Sequence, residues 1–124
     1  MILSIDHLQM AIPPGGEGQA RAFYGDLLGM TEIPRPQAIV ARGGVWFRSG
    51  TVALHLGVDA GFVPAVIAHP GLRVAEYAAL VARLQAGGAD VTPDTKVPGV
   101  IRAFVLDPFG NRLELIDGTT GSPG

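Results

Sequence analysis

Four side chains with metal-binding chemistry recur in register along the two halves of the chain. His7 and His55 lie in the first half, and His69 and Glu114 lie in the second. Neutral imidazoles and a carboxylate suit Zn²⁺, Ni²⁺, Co²⁺, Mn²⁺ or Fe²⁺, and such a set leaves coordination positions for water and substrate. A divalent ion held there would act as a Lewis acid that polarises a carbonyl or activates bound water. We therefore predict a divalent metal site built from these four residues.

The plainer interpretation of these four residues is that they are ordinary surface side chains. A single histidine on the polar face of a strand is usually solvated, and Glu114 by itself would be an ordinary surface acid. The chain contains 3 histidines in total, and all of them fall at equivalent strands of the two halves. This coincidence favours the metal site.

The second half of the chain looks like a rewritten copy of the first. Ile5–Leu8 opens one half as Ile67–Pro70 opens the other, and each opening precedes one helical pattern. The closing strands also match, Val52–Leu56 with Arg112–Ile116. The repeat predicts two modules of about 60 residues, each too small to bury a good core alone, which should pack together or exchange between chains.

The composition describes a single globular domain. The chain has 124 residues, of which 48% are hydrophobic and 16% charged, and its formal net charge is −2. This charge, without a basic run, argues against nucleic acid or an anionic membrane as partner. No apolar run approaches a membrane span, and the opening residues lack a basic leader, so we expect a cytoplasmic protein. The absence of cysteine excludes disulfides, thiolate ligands and a cysteine nucleophile.

Periodicity and turn residues predict the order βαβββ in each module. Module 1, residues 1 to about 58, should contain a strand from about Leu3 to Ile12, a helix over Glu17–Leu28, and strands near Met30–Ile33, Val45–Arg48 and Thr51–Val58. After a linker over residues 59–68, module 2, residues 69–117, should contain a strand over His69–Val74, a helix over Ala75–Ala86, and strands near Asp90–Thr92, Ile101–Leu106 and Arg112–Ile116. Residues 107–111 should form a turn, and residues 118–124 a loose tail.

Alternation along the strands predicts where the candidate ligands point, because one face of each sheet must meet a helix. The alternate apolar residues should face the helices, which leaves all four candidate ligands on the opposite face. If the sheets curl, that face lines a concave pocket. Its predicted substrate-binding walls are Gln9, Trp46, Arg48, Arg73, Arg102 and Phe104. An arginine pair suits a carboxylate or phosphate on a substrate, although a lone arginine is more often solvated and Trp46 is as easily a packing residue.

Three stretches of the chain resemble one family: Asp6 and His7, Ala22–Met30, and Leu106–Leu115. They are similar to the vicinal oxygen chelate superfamily, also called the glyoxalase/bleomycin resistance/dioxygenase superfamily, from about Ile5 to Asp117. The resemblance implies an α+β fold in which paired βαβββ modules form a cupped, partly open eight-stranded barrel, usually completed in a homodimer. It also implies metal ligands at His7, His55, His69 and Glu114. In many members one site draws on both chains, so the first pair of one chain would meet the second pair of the other.

The superfamily hosts several activities, and the ligand set leaves them open. Glyoxalase I typically has glutamate at the position of His55, where the acid moves a substrate proton, and methylmalonyl-CoA epimerase has glutamine there. His55 could itself act as a base when it is not bound to the ion. The candidate catalytic residues are therefore His55 and Glu114. Fosfomycin thiol transferases match His7, His69 and Glu114, but their potassium-binding loop has no counterpart here. Extradiol dioxygenases use the same triad with ferrous iron and are usually longer.

We therefore expect a metal-dependent enzyme of the lyase, isomerase or dioxygenase type that acts on a small oxygenated metabolite. The alternative is a dimer of the bleomycin-resistance type, which sequesters a small molecule or antibiotic without catalysis. Members of that kind typically lack the ligands. A third possibility is a degenerate member whose dimer serves only as a scaffold.

Overall fold

The computed structural model describes all residues, 1–124, and they divide into two units, Met1–Val63 and Pro64–Gly124. Each unit contains one four-stranded sheet and the helical segment between its first and second strands. The predicted α+β class with two βαβββ modules is confirmed. None of the helices has the length and apolar character needed to cross a membrane.

The sheet of the first unit has the strand order β1-β4-β3-β2. Its strands are β1 (Leu8–Ile12), β2 (Thr31–Ile33), β3 (Val45–Ser49) and β4 (Val52–Val58). β1 and β4 are parallel, and the other neighbouring strands are antiparallel. A 3₁₀ helix over Gln37–Arg42, which the sequence did not predict, precedes β3.

The predicted helix of the first unit changes its geometry part-way along. It begins as α1 (Glu17–Ala20) and continues as a π-helix over Arg21–Leu27. Phe23 and Tyr24 in the wider turns are both buried, and the Tyr24 ring lies 5.8 Å from the ring of Phe47 on β3. Since burial of a large apolar side chain contributes about 1.5–3 kcal/mol, this aromatic cluster anchors the helix on the sheet.

The sheet of the second unit repeats the same topology, with the order β5-β8-β7-β6. Its strands are β5 (Gly71–Val74), β6 (Asp90–Asp94), β7 (Arg102–Leu106) and β8 (Arg112–Asp117), and its helix is α2 (Tyr77–Ala86). Leu80 and Leu84 of α2 are buried, as are Leu113 and Leu115 of β8. The alternation predicted for β8 therefore places its leucines in the core of this unit.

Two strands begin later than predicted, and strand pairing explains both differences. β1 begins at Leu8, which pairs with Leu54, rather than near Leu3. In this parallel register residues 3–5 would lie before the start of β4 at Val52 and would have no partner there. β5 begins at Gly71 rather than at His69, because Pro70 has no N–H to continue the ladder. The first member of each predicted pair, His7 or His69, therefore lies just before its strand. The other strands match closely, and α2 begins at Tyr77 rather than Ala75.

The turn before β8 is built on Asp107, in agreement with its prediction as a turn. Its Oδ1 accepts hydrogen bonds from the backbone N–H of Phe109 at 2.9 Å and of Asn111 at 2.8 Å. Its Oδ2 accepts a bond from Asn111 Nδ2 at 2.9 Å. Gly110 adopts a φ of 90°, which L side chains rarely reach. This network sets the start of β8 and so the position of Glu114.

Candidate metal centre

Three rings stack face to face in the first unit. Trp46 on β3 pairs with His55 on β4, and their ring centroids lie 3.6 Å apart at an interplanar angle of 1°. The His7 ring stacks on His55 at 4.1 Å and 18°, and it must cover the opposite face because two parallel rings cannot share one. Burial, followed by the charge of His7, lowers the pKa of His55. His55 is thus the centre of an aromatic stack.

The outer ring of this stack is oriented by its neighbour in sequence. His7 Nδ1 donates a hydrogen bond to Asp6 Oδ1 at 2.8 Å, and this bond lowers the pKa of Asp6. Because a carboxylate only accepts, the hydrogen of a neutral ring resides on Nδ1, and Nε2 keeps a free lone pair. A carboxylate behind a ring nitrogen is a common support for metal-binding histidine.

In the second unit, a histidine and a carboxylate meet directly. His69 Nδ1 donates to the carbonyl oxygen of Ile67 at 2.7 Å, and His69 Nε2 lies 3.1 Å from Glu114 Oε1. Since the carbonyl only accepts, a neutral His69 would turn the Nε2 lone pair toward the carboxylate. The contact therefore needs either a second proton on the ring or a cation bound by both atoms.

The second oxygen of Glu114 belongs to a chain of ion pairs. Arg102 Nη1 donates to Glu114 Oε2 at 3.0 Å, and Arg102 Nη2 donates to Asp94 Oδ2 at 2.8 Å. Burial alone would raise the pKa of Glu114, but the hydrogen bonds from Arg102 and His69 outweigh it and lower the pKa. Glu114 therefore remains a carboxylate although it is only 7% exposed.

The two pairs differ in how well they fit a metal ion. Ligand bonds of about 2.0–2.2 Å at right angles place two ligand atoms about 3 Å apart, so the His69–Glu114 spacing suits one ion. The lone pairs of His7 and His55 lie in nearly parallel planes, and at least one ring must rotate before both can bind the same ion. No group of three or more His, Asp or Glu side chains is arranged to hold an ion.

The predicted wall residues of the first unit lie around the stack. Gln9 pairs with His55 across β1 and β4, and its amide lies close over Gly57. Trp46 belongs to the stack itself. Arg48 is exposed, two residues further along β3.

The predicted wall residues of the second unit have different surroundings. Phe104 meets His69 edge to face, with centroids 5.5 Å apart. Arg102 contacts Glu114 directly. Arg73 donates to the carbonyl oxygen of Thr120 at 3.1 Å, so its hydrogen bond holds the segment after β8.

Sequence reasoning did not single out two further residues near the His69–Glu114 pair. Asp94 completes the ion-pair chain of Arg102. Arg112 lies with its guanidinium carbon 4.1 Å from the ring centroid of Phe104. Arg112 precedes Glu114 by two residues on β8, so strand alternation alone would have placed both on one face.

The family model of the Glyoxalase/Bleomycin resistance protein/Dioxygenase superfamily matches residues 4–115. The chain belongs to this superfamily. The match includes all four candidate ligands, at the ends of the two modules. No curated protein matches the chain.

Solved structures of the superfamily extend over nearly the whole chain. A protein assigned to the glyoxalase family from Bacillus anthracis is 45% identical, with 94% of this chain and 96% of that chain covered and a TM-score of 0.90. The fosfomycin resistance protein FosX from Listeria monocytogenes is 14% identical, with coverages of 99% and 97% and a TM-score of 0.77. The antibiotic binding protein TnmS3 from Streptomyces sp. CB03234 is 23% identical, with coverages of 94% and 98% and a TM-score of 0.69. At these two lower identities the likeness concerns the fold alone.

Proposed function

We propose that the chain is a metal-dependent enzyme of the superfamily that acts on a small oxygenated molecule, by a reaction of the lyase, isomerase or dioxygenase type. The observation that carries the proposal is the contact of His69 Nε2 with Glu114 Oε1 at 3.1 Å, while His69 Nδ1 is already committed to a backbone carbonyl. If His69 is neutral, two lone-pair atoms face each other at this distance, and a cation bound by both of them would explain the contact.

Four residues are the proposed ligands of this ion: His7, His55, His69 and Glu114. A divalent ion bound by them would supply Lewis-acid activation of a substrate oxygen or of water. Its identity among Zn, Ni, Fe(II), Mn and Co stays open, since the nitrogen and oxygen donors suit all of them. The resemblance to two-module members supports bringing the two pairs to one ion in a homodimer. The charge and hydropathy of the sequence support a cytoplasmic location for it.

The supporting residues orient the ligands. Asp6 orients the His7 ring through Nδ1, and Arg102 holds Oε2 of Glu114 so that Oε1 is left for the ion. His55 and Glu114 are the proposed catalytic residues, because an imidazole or a carboxylate that leaves the ion can take a proton from a substrate.

A second candidate function is a dimer that binds a small molecule or antibiotic without chemistry. Arg102 favours it, because its guanidinium and a doubly protonated His69 would together satisfy Glu114 without a metal. Proteins of this fold include an antibiotic binding protein and a fosfomycin resistance protein. The two candidates differ in whether a cation or a proton lies between His69 and Glu114.

The test is metal content per chain, by mass spectrometry on tag-free protein after chelation and reloading with single ions. The proposal predicts near-stoichiometric uptake that is lost in His69→Ala and Glu114→Gln. Glu76→Gln is the matched control, because Glu76 is an exposed carboxylate in the same unit. If the parent protein takes up no ion, or if both ligand variants keep full occupancy, the metal-dependent enzyme is wrong and the sequestering dimer is favoured.

The ion that binds then directs the search for a substrate. Uptake of nickel or zinc would direct it to carbonyl isomerisation, and uptake of ferrous iron would direct it to oxygen-dependent ring cleavage.

A further inference from the structure

A groove of about 370 Å³ lies on the second unit. Its lining includes Phe104, whose ring contacts His69, so the groove lies next to the proposed ligand pair. Pro64, Val66 and Leu106 make much of the remaining wall apolar. A groove of this size and character suits a small organic molecule with an apolar body.

One cation of this groove has no counterion. The guanidinium of Arg112 lies 4.1 Å from the ring centroid of Phe104, and its Nη1 makes a long hydrogen bond of 3.4 Å to the carbonyl oxygen of Val66. Arg112 takes part in no ion pair, whereas Arg102 on the neighbouring strand pairs with both Asp94 and Glu114. The charge of Arg102 is therefore balanced within the protein, and the charge of Arg112 is not.

The position of Arg112 on an aromatic ring favours recognition of an anion. A guanidinium that stacks on a ring keeps its N–H groups in its own plane, where they can bind both oxygens of a carboxylate. The ring and the Val66 carbonyl also limit the orientations of the side chain, which reduces the entropy lost on binding. Asp90 lines the same groove, and its charge disfavours a ligand with a second anionic end.

We propose that Arg112 is the specificity-determining residue of this groove, and that the groove takes a small molecule with an apolar body and one carboxylate, the carboxylate lying against the Arg112 guanidinium. The proposal rests on the proposed function in treating this face as the small-molecule site. It adds to that function the charge of the ligand, a single negative charge.

The test compares 2-naphthoate with its neutral analogue 2-naphthamide by ligand-observed NMR titration of the full chain after metal removal. The parent should bind the naphthoate more tightly than the amide. Arg112→Gln should weaken naphthoate binding about tenfold or more, because a hydrogen bond to a charged group is lost, and should leave amide binding unchanged. The naphthoate affinity of Arg112→Lys should lie between those of the parent and of Arg112→Gln, since lysine keeps the charge but lacks the planar guanidinium. Arg42→Gln, which removes an exposed arginine of the first unit, is the charge-matched control and should change nothing.

Three outcomes would overturn the inference. The parent binds neither probe, Arg112→Gln lowers the affinity for both probes equally, or Arg112→Gln leaves the naphthoate affinity unchanged. The same titrations repeated after reloading with single ions, with metal content measured on each sample, separate this inference from the proposed function. Naphthoate binding that needs a metal and ignores Arg112 would overturn the inference and leave the metal site standing. Arg112-dependent binding by a protein that takes up no metal would support the inference and overturn the metal-dependent enzyme.

Discussion

The two units place their candidate ligands in the same register and hold them by different forces. His7 lies two residues before Gln9, which pairs with His55, and His69 lies two residues before Gly71, which pairs with Glu114. The first pair is held by ring stacking, and the second by the contact of His69 with Glu114 and the ion pair of Glu114 with Arg102. Two units with the same backbone topology can therefore position their metal-binding side chains by different interactions.

The difference has consequences for rigidity and for stability. Stacking imposes no fixed hydrogen-bond direction, so one ring of the first pair can tilt out of the stack to bind an ion. A network of ion pairs has fixed directions, and removing one member leaves the other charges buried without compensation. We therefore expect the second unit to be the more sensitive to the loss of a single side chain near its ligands.

The largest expected effect is the loss of Arg102, through Arg102→Met. Its side chain is 14% exposed, and its removal leaves two carboxylates, Asp94 and Glu114, without their shared cation. We expect the largest fall in the free energy of unfolding among these variants, because removing the shared cation leaves both carboxylates without a charge partner. Urea unfolding monitored by circular dichroism measures the change. A loss below about 0.5 kcal/mol would show that the network behaves as a solvent-exposed one.

The next effect tests the stack of the first unit, through Trp46→Ala. Trp46 is half-buried and covers His55, so its removal costs both apolar contact and stacking, together about 2 kcal/mol. Trp46→Phe keeps a ring against His55 and should recover most of this stability. The ring protons of His55 should also lose an upfield NMR shift in the alanine variant. Unchanged proton shifts would mean that the stack does not persist in solution.

A smaller effect concerns a carboxylate of the first unit that lies apart from its ligand pair. Glu17 Oε2 accepts a hydrogen bond from the backbone N–H of Gly44 at 3.0 Å, and this bond lowers the pKa of Glu17. Gly44 precedes β3, and any Cβ there would lie 2.3 Å from the carbonyl oxygen of Leu56. The bond therefore anchors a segment in which only glycine fits.

Glu17→Gln should cost about 1 kcal/mol at neutral pH, since the bond is no longer charge-assisted. Because the pKa of Glu17 is lower in the folded chain than in the unfolded one, its stabilisation is complete above the unfolded pKa. It is lost as the pH falls through the lowered value. Parent and variant should thus converge in acid, as measured by urea unfolding across a pH series. A gap that stays constant with pH would contradict the role assigned to the charge.

The order of helix and strands along the chain, βαβββ in both units, could be predicted from sequence because alternation and turn residues are local signals. The starts of β1 and β5 could not, because they depend on where the partner strand begins and on the missing N–H of Pro70. The π-helix over Arg21–Leu27 was also beyond prediction, since its residues have the apolar spacing of an ordinary helix.

The candidate site was predictable to the level of faces rather than of contacts. Alternation indicated that His55 and Glu114 point away from the helices, and their role as metal ligands stays a prediction. The ring stack and the ion pairs of Arg102 depend on side-chain rotamers that tertiary neighbours select. A pattern of residue types contains no signal that separates a stacked histidine from a hydrogen-bonded one.

The smallest expected effect is the loss of an exposed ion pair, through Arg21→Ala. This pair has the same chemistry as the pairs of Arg102 but lies at the surface, so comparing the two variants isolates the effect of burial. Arg21 donates to Glu32 through Nε at 2.9 Å and Nη2 at 3.3 Å, as complete an arginine–carboxylate pair as the structure contains. Its side chains are 52% and 45% exposed. Water already solvates both charges, so Arg21→Ala should lower the free energy of unfolding by at most about 0.5 kcal/mol. The measurement is the same urea titration used for Arg102→Met. If the exposed pair proves as costly to break as the buried one, burial is not what makes the second unit sensitive, and the contrast between the two units must lie in the shared cation instead.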